Sequence, residues 1–162
     1  MRNWQVDKGV CKMIKIIVIQ TLKEIIWKNN LNFDILKRLK YLNFDVKKQR
    51  DGYNIMFEKG KYFLYVIDEG MGRASQFQEA RNQKELIYLI IYEMTLNIVN
   101  ESLQNEESRM RIFKFQEKLL YSVNDKWYES SKKYHNQINE VMLDDSTFYK
   151  FYTKDIRNRL LY

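Results

Sequence analysis

Large apolar side chains recur at steps of three and four through the last third of the chain. Ile112, Phe115, Leu119, Val123 and Trp127 form one series, and Tyr134, Ile138 and Val141 form another. That is the spacing of one face of an α-helix. Lys114, Lys118, Asp125, Lys126, Glu129, Lys132 and Lys133 fall mostly between them, on the face expected to meet water. No Gly or Pro interrupts the stretch from Glu106 to Met142. The pattern therefore predicts one long helix, about 50 Å if unbroken, at about 1.5 Å per residue. Gln83 to Leu103 has the same period and is its expected partner. From Leu86 to Val99 this partner is apolar nearly all round, apart from a polar stripe at Glu93, Asn97 and Asn100. Such a helix is usually buried on most sides. Gln104–Ser108 would connect the two as an antiparallel helical hairpin. Trp127 follows Leu120 by one heptad and Phe113 by two, so all three are expected to face the Leu86–Val99 helix as core.

Earlier in the chain the period changes twice. Residues 1–12 show none. Met13 to Trp27 reads as a helix with Ile14, Ile17, Val18, Leu22, Ile25 and Ile26 on one side, ended by Asn29 and Asn30. Asn32 or Asp34 would cap a short second helix carrying Ile35, Leu36, Leu39 and Leu42. Strand signals begin at the Asp51-Gly52 turn. Tyr53–Glu58 and Tyr62–Ile67 are rich in β-formers, and Glu58-Lys59-Gly60-Lys61 is a hairpin turn between them. After Asp68-Glu69-Gly70, Met71–Gln78 returns as a more polar edge strand. Beyond Met142, Asp144-Asp145-Ser146 breaks the helix, and Thr147–Tyr162 holds enough aromatic and aliphatic residues to dock as a last helix. The predicted fold is α+β and a single domain over 1–162: N-terminal helices, a three-stranded antiparallel meander, then the long C-terminal helical hairpin over one sheet face.

Composition changes this picture little. The 162 residues are 45% hydrophobic and 30% charged, an ordinary globular mixture, with no proline. One cysteine, Cys11, excludes an internal disulfide and suits a reducing compartment. The longest apolar run near the start, Ile16–Ile19, is far too short to span a bilayer, and no cleavage site follows it. The expectation is a soluble, cytoplasmic protein with no membrane partner.

Charge is uneven. Residues 1–61 carry 14 basic and 6 acidic side chains, against 10 and 14 in residues 62–145. Lys37, Arg38, Lys40, Lys47, Lys48 and Arg50 alternate with Tyr41 and Phe44, a pattern that suits nucleic-acid or other polyanion binding. Leu36, Leu39 and Leu42 offer the same two rings a place in the core, and a Lys-rich solvated surface is the blander reading of the charge.

Catalytic motifs are missing. A zinc site needs several ligands at set spacing, and here one histidine and one cysteine stand far apart. His135, among Lys and Tyr in mid-helix, is expected to be solvated or half-packed. Cys11 is expected to be a packing residue or an exposed thiol. The carboxylate pairs Asp68-Glu69, Glu106-Glu107 and Asp144-Asp145 sit at turns or helix ends, where acids are usual. Neither phosphate loop nor dinucleotide fingerprint can be assembled from isolated glycines. The expectation is a protein that is not an enzyme and takes no cofactor or metal.

From about Asp51 to Met142 the chain presents the hairpin Tyr53–Ile67, the turn Glu69-Gly70, the helix start Leu86-Ile87-Tyr88, and Glu107-Ser108-Arg109 followed by Phe113, Gln116, Leu119, Leu120 and Trp127. In this order of motifs it resembles the Immunity protein 63 family of bacterial polymorphic-toxin systems. The chain departs from the family pattern where Glu69 meets Gly70 directly and where Met110 follows Arg109. The resemblance implies an immunity protein that binds and neutralises a cognate bacterial toxin. Within it, Asp68, Glu69 and Arg73 around the Gly-containing turn are the expected partner contacts. Arg109, in the first turn of its helix near Glu106 and Glu107, is expected to be structural, with Phe113, Leu120 and Trp127.

Overall fold

Asp7 opens the first helix: its carboxylate accepts from the backbone N–H groups of Gly9 and Val10. The computed structural model describes residues 5–45, 51–68, 73–103 and 108–141. Helix α1 spans Lys8–Lys28, so it starts before the predicted Met13. The cap at Asp7 sets the start, although Lys8–Lys12 show no apolar period. Ile14, Val18, Leu22 and Ile25 are its buried side, and Asn30 leaves it with φ 53°. A short α2, Ile35–Leu39, begins where Asp34 Oδ1 accepts from Lys37 N at 3.1 Å.

The sheet has four strands in the order β1-β2-β3-β4: Leu42–Asn43, Gly52–Glu58, Lys61–Asp68 and Arg73–Ala80. The last three pair antiparallel. The expectation of a three-stranded sheet missed β1, which adds parallel to β2 through Leu42↔Tyr53 and Asn43↔Asn54. Two residues cannot show a period, and Leu42 had been read as helical. Between β2 and β3, Lys59 (φ 52°) and Gly60 (φ 78°) form the turn, the left-handed pair a tight hairpin needs.

Gly52 makes the β1 pairing fit. Its φ is +108°, and a Cβ there would lie 2.6 Å from Tyr41 Cβ and closer still to the Tyr41 carbonyl oxygen. That carbonyl accepts from Tyr53 N at 2.8 Å. Gly52→Ala is therefore expected to destabilise the protein by more than about 1 kcal/mol, read as a lower urea midpoint. An unchanged midpoint would show that Tyr41 and Gly52 are not held against each other.

Three helices follow: α3, Gln83–Ser102; α4, Arg109–Tyr121; and α5, Asp125–Val141. The predicted unbroken helix from Glu106 is thus two helices, separated at Ser122–Asn124. The cause is local: Asn124 Oδ1 accepts from Trp127 N at 3.1 Å and starts a new helix. The phase that tied Phe113, Leu120 and Trp127 together does not run through this break. Phe113 and Leu120 are buried, whereas Trp127 is half-buried against the core.

Helix α3 is the hub. It packs on β3, β4, α1 and α4, while α5 packs on α4. That explains its all-round apolarity: Leu86, Ile90, Ile91, Met94 and Ile98 have no wet side to avoid. Toward it the sheet turns Tyr53, Ile55, Tyr62 and Leu64, neighbours on one face by register. Among the described residues no helix is long and apolar enough to cross a membrane.

Candidate functional site

The residues expected to bind a partner are only partly in view. Asp68 and Arg73 pair across β3 and β4 next to an irregularity at Val66/Ile67. At both, only the backbone is described, and Glu69 lies outside the described residues. Arg109 is the first residue of α4 and half-buried. The cap there is Ser108, whose hydroxyl accepts from Arg111 N at 3.4 Å; Glu106 and Glu107 lie outside the described residues, as does the tail from Met142.

The basic and aromatic stretch divides. Phe44 is buried, with Lys15 Nζ 5.6 Å from its ring centre. Tyr41 is exposed beneath Lys40 Nζ, also at 5.6 Å. Lys47, Lys48 and Arg50 lie outside the described residues. Cys11 is a free, half-buried thiol 3.6 Å from the Val6 carbonyl oxygen. Burial pushes its pKa up, which disfavours the thiolate a nucleophile needs.

What the sequence did not reveal is a buried polar network centred on His135. The reading of this residue as solvated or half-packed is corrected: it is 1% exposed. Its Nδ1 lies 2.8 Å from Glu117 Oε1, and its Nε2 lies 3.1 Å from both the Tyr92 hydroxyl and Gln116 Oε1. The ring stacks on Phe113 with centroids 3.8 Å apart and planes 3° from parallel. Gln116, fully buried, donates through Nε2 to the Tyr92 carbonyl at 2.8 Å and the Thr95 hydroxyl at 3.2 Å. Thr95 in turn donates to the Ile91 carbonyl at 2.8 Å. One chain of hydrogen bonds therefore joins α3, α4 and α5. Its partners are 18, 19 and 43 residues from His135, so no local spacing could have announced it. The only hint was Gln116, a polar residue within the apolar series of its helix.

Carbonyl geometry fixes the orientation of Gln116, since its amide nitrogen must face Tyr92 O. The Glu117 carboxylate fixes the tautomer: Nδ1 carries the proton and donates, and Nε2 accepts from the Tyr92 hydroxyl. Burial pushes the His135 pKa below its ordinary 6.5, although Glu117 opposes the shift. A second proton on Nε2 would find Gln116 Oε1 as an acceptor, so lost hydration rather than a missing hydrogen bond disfavours the charged ring. A histidine paired with a carboxylate resembles a general base and its orienting acid. Here the ring is sealed, and a base must reach the proton it takes. The arrangement ties helices together.

A second polar cluster lies between the sheet and α3: Asn97 donates to the Tyr53 hydroxyl, and Gln78 Nε2 donates to the buried Glu93 carboxylate at 3.2 Å. On the opposite face of the sheet, Asn43 Nδ2 donates to Asn54 Oδ1 at 2.7 Å. Asn43–Asn54 bridges β1 and β2 where the backbone ladder is only two residues long. Gln78 Oε1 is buried without a hydrogen-bond partner among the described residues.

The Trp127 ring lies against Tyr88 of α3, with centroids 6.0 Å apart. Trp127→Ala is expected to lower stability by less than the ~3–5 kcal/mol typical of fully buried aromatics, because the ring is half-exposed. Chemical denaturation reads this directly; no loss would place the ring outside the core.

Among the described residues, no group of three or more His, Cys, Asp and Glu is placed to hold a metal ion. No family model, curated protein or solved structure matches the chain.

Proposed function

We propose that this chain is a non-enzymatic binding protein that neutralises a cognate bacterial toxin, acting in the cytoplasm of the cell that makes both. The observation that carries the reading is His135. It is the one histidine in the sequence and the one side chain with an ordinary pKa near neutrality. Both its ring nitrogens are engaged inside the helical layer, Nδ1 by Glu117 and Nε2 by the Tyr92 hydroxyl, and the ring is buried. The resemblance to the Immunity protein 63 family supplies the kind of partner. The elements on which it rests are the hairpin of β2 and β3, the apolar start of α3 and the Ser108-capped start of α4. Asp68, Glu69 and Arg73 remain proposed contacts within this reading.

A second reading, polyanion binding, is favoured by Lys40 over the exposed Tyr41. Calorimetry separates the two. Titrating the chain with the purified toxin encoded beside it should give a one-to-one complex. Retention on single-stranded RNA, with affinity falling steeply as salt rises, and no heat with the toxin would support the second reading instead.

A further inference from the structure

Helix α1 buries one side and leaves apolar residues on the other. Met13, Ile16, Gln20, Lys23 and Trp27 follow at alternating steps of three and four, which makes them one stripe. The stripe lies opposite the buried Ile14, Val18, Leu22 and Ile25. Met13 and Ile16 are exposed, and Trp27 is 80% exposed. Single exposed apolar residues are ordinary on a protein surface. Three on one stripe, spanning about 20 Å of helix and ending in a bare Trp, form a patch.

The far end of the stripe is held in place. Lys28 Nζ donates to the Ser122 carbonyl at 2.8 Å, and Asn29 Nδ2 donates to the Ser122 hydroxyl at 3.0 Å. These bonds bring the end of α1 beside the end of α4, where Tyr121 is 60% exposed. The same end of the molecule therefore presents a Trp and a Tyr, residue types that anchor protein interfaces.

Charge narrows the occupant. The helix has five lysines against one glutamate, and that glutamate, Glu24, pairs with Lys28 at 2.6 Å. Lys12 is exposed beside the stripe and Lys23 within it. A second copy of the chain laid face to face would bring lysines against lysines. Insertion into a lipid surface would need a wide apolar face, and the main apolar face of α1 is already in the core. A protein whose apolar patch is rimmed by carboxylates fits both features.

We propose that the outward face of α1, with Tyr121 at its end, is the docking surface for an acidic protein partner, and that Trp27 is its anchor. This rests on the toxin-binding reading and adds a surface to the turn contacts Asp68, Glu69 and Arg73 proposed there.

The test is calorimetry of the full chain with the purified toxin encoded beside it, using wild type, Trp27→Ala and Ile16→Glu. Thermal melts of all three accompany it. Both side chains are exposed, so both variants should melt at the wild-type midpoint. Trp27→Ala should weaken binding at least about tenfold, and Ile16→Glu should weaken it by placing an acid in the patch. Wild-type binding with both variants unchanged would overturn this surface and leave the toxin-binding reading standing. No binding by wild type overturns both. Trp27-dependent binding to a single-stranded RNA oligonucleotide or to anionic phospholipid vesicles, with none to the toxin, would overturn the protein partner.

Discussion

Phe113→Ala should be among the most damaging single substitutions in the chain, costing about 3–5 kcal/mol. Phe113 is buried between α4 and α5 and is the floor on which the His135 ring stacks at 3.8 Å. Its loss removes aromatic burial and leaves a cavity. It also frees a ring whose two nitrogens must stay aimed at Glu117, Tyr92 and Gln116. For a domain of this size each kcal/mol moves the thermal midpoint by ~2–4 °C. The expected fall is therefore more than about 6 °C in a calorimetric scan. Phe113→Leu, which refills part of the space, should lose less. A midpoint within a degree or two of wild type would mean that the ring does not support the network.

Acid should weaken the protein through His135. In the folded state burial holds its pKa below 6.5, so the unfolded chain binds the proton first. The stability at stake is fully present above the ordinary histidine range. Stability is lost as pH falls through about 6.5 toward the folded value, with a slope of at most ~1.4 kcal/mol per pH unit. The groups facing the ring are Glu117 from α4, Tyr92 from α3 and Tyr134 from α5. Of these, Glu117 carries the charge that opposes the shift. Glu117→Gln should therefore extend the acid loss to lower pH, and His135→Gln should flatten the stability curve between pH 5 and 7. Urea titrations across that range measure both. An unchanged slope in His135→Gln would show that other groups set the acid response.

Different parts of the structure were legible to different degrees, for physical reasons. Helix α3 could be read because a hub helix is apolar on every side. The β2–β3 hairpin could be read because Lys59-Gly60 is a local turn signal between β-rich runs. The division between α4 and α5 was written in Ser122 and Asn124, both good caps. The apolar steps Leu119–Val123–Trp127 ran across that signal and hid it. Strand β1 was out of reach: two residues pair with a strand across a gap in sequence, and Gly52 shows its need for a positive φ only once Tyr41 lies against it. The His135 network is a product of tertiary packing, since its members meet only when three helices do. The proposed contacts Asp68, Glu69 and Arg73 came from turn chemistry. The Trp27 stripe went unread because sequence reading described only the side of α1 with Ile14, Ile17, Val18, Leu22, Ile25 and Ile26, and gave Met13, Ile16 and Trp27 on the other side no role.

The central claim is that this chain acts by binding and not by turnover. Stoichiometry tests it most directly. The cognate toxin that the proposal calls for is assayed at fixed concentration against rising amounts of the purified chain, with and without long preincubation. A binder inhibits in proportion to its amount, reaches full protection at about one equivalent, and gives the same curve at any preincubation time. Full protection by a small fraction of an equivalent, growing with time, would show catalytic removal and contradict the account, as would a toxin that is unaffected at any ratio.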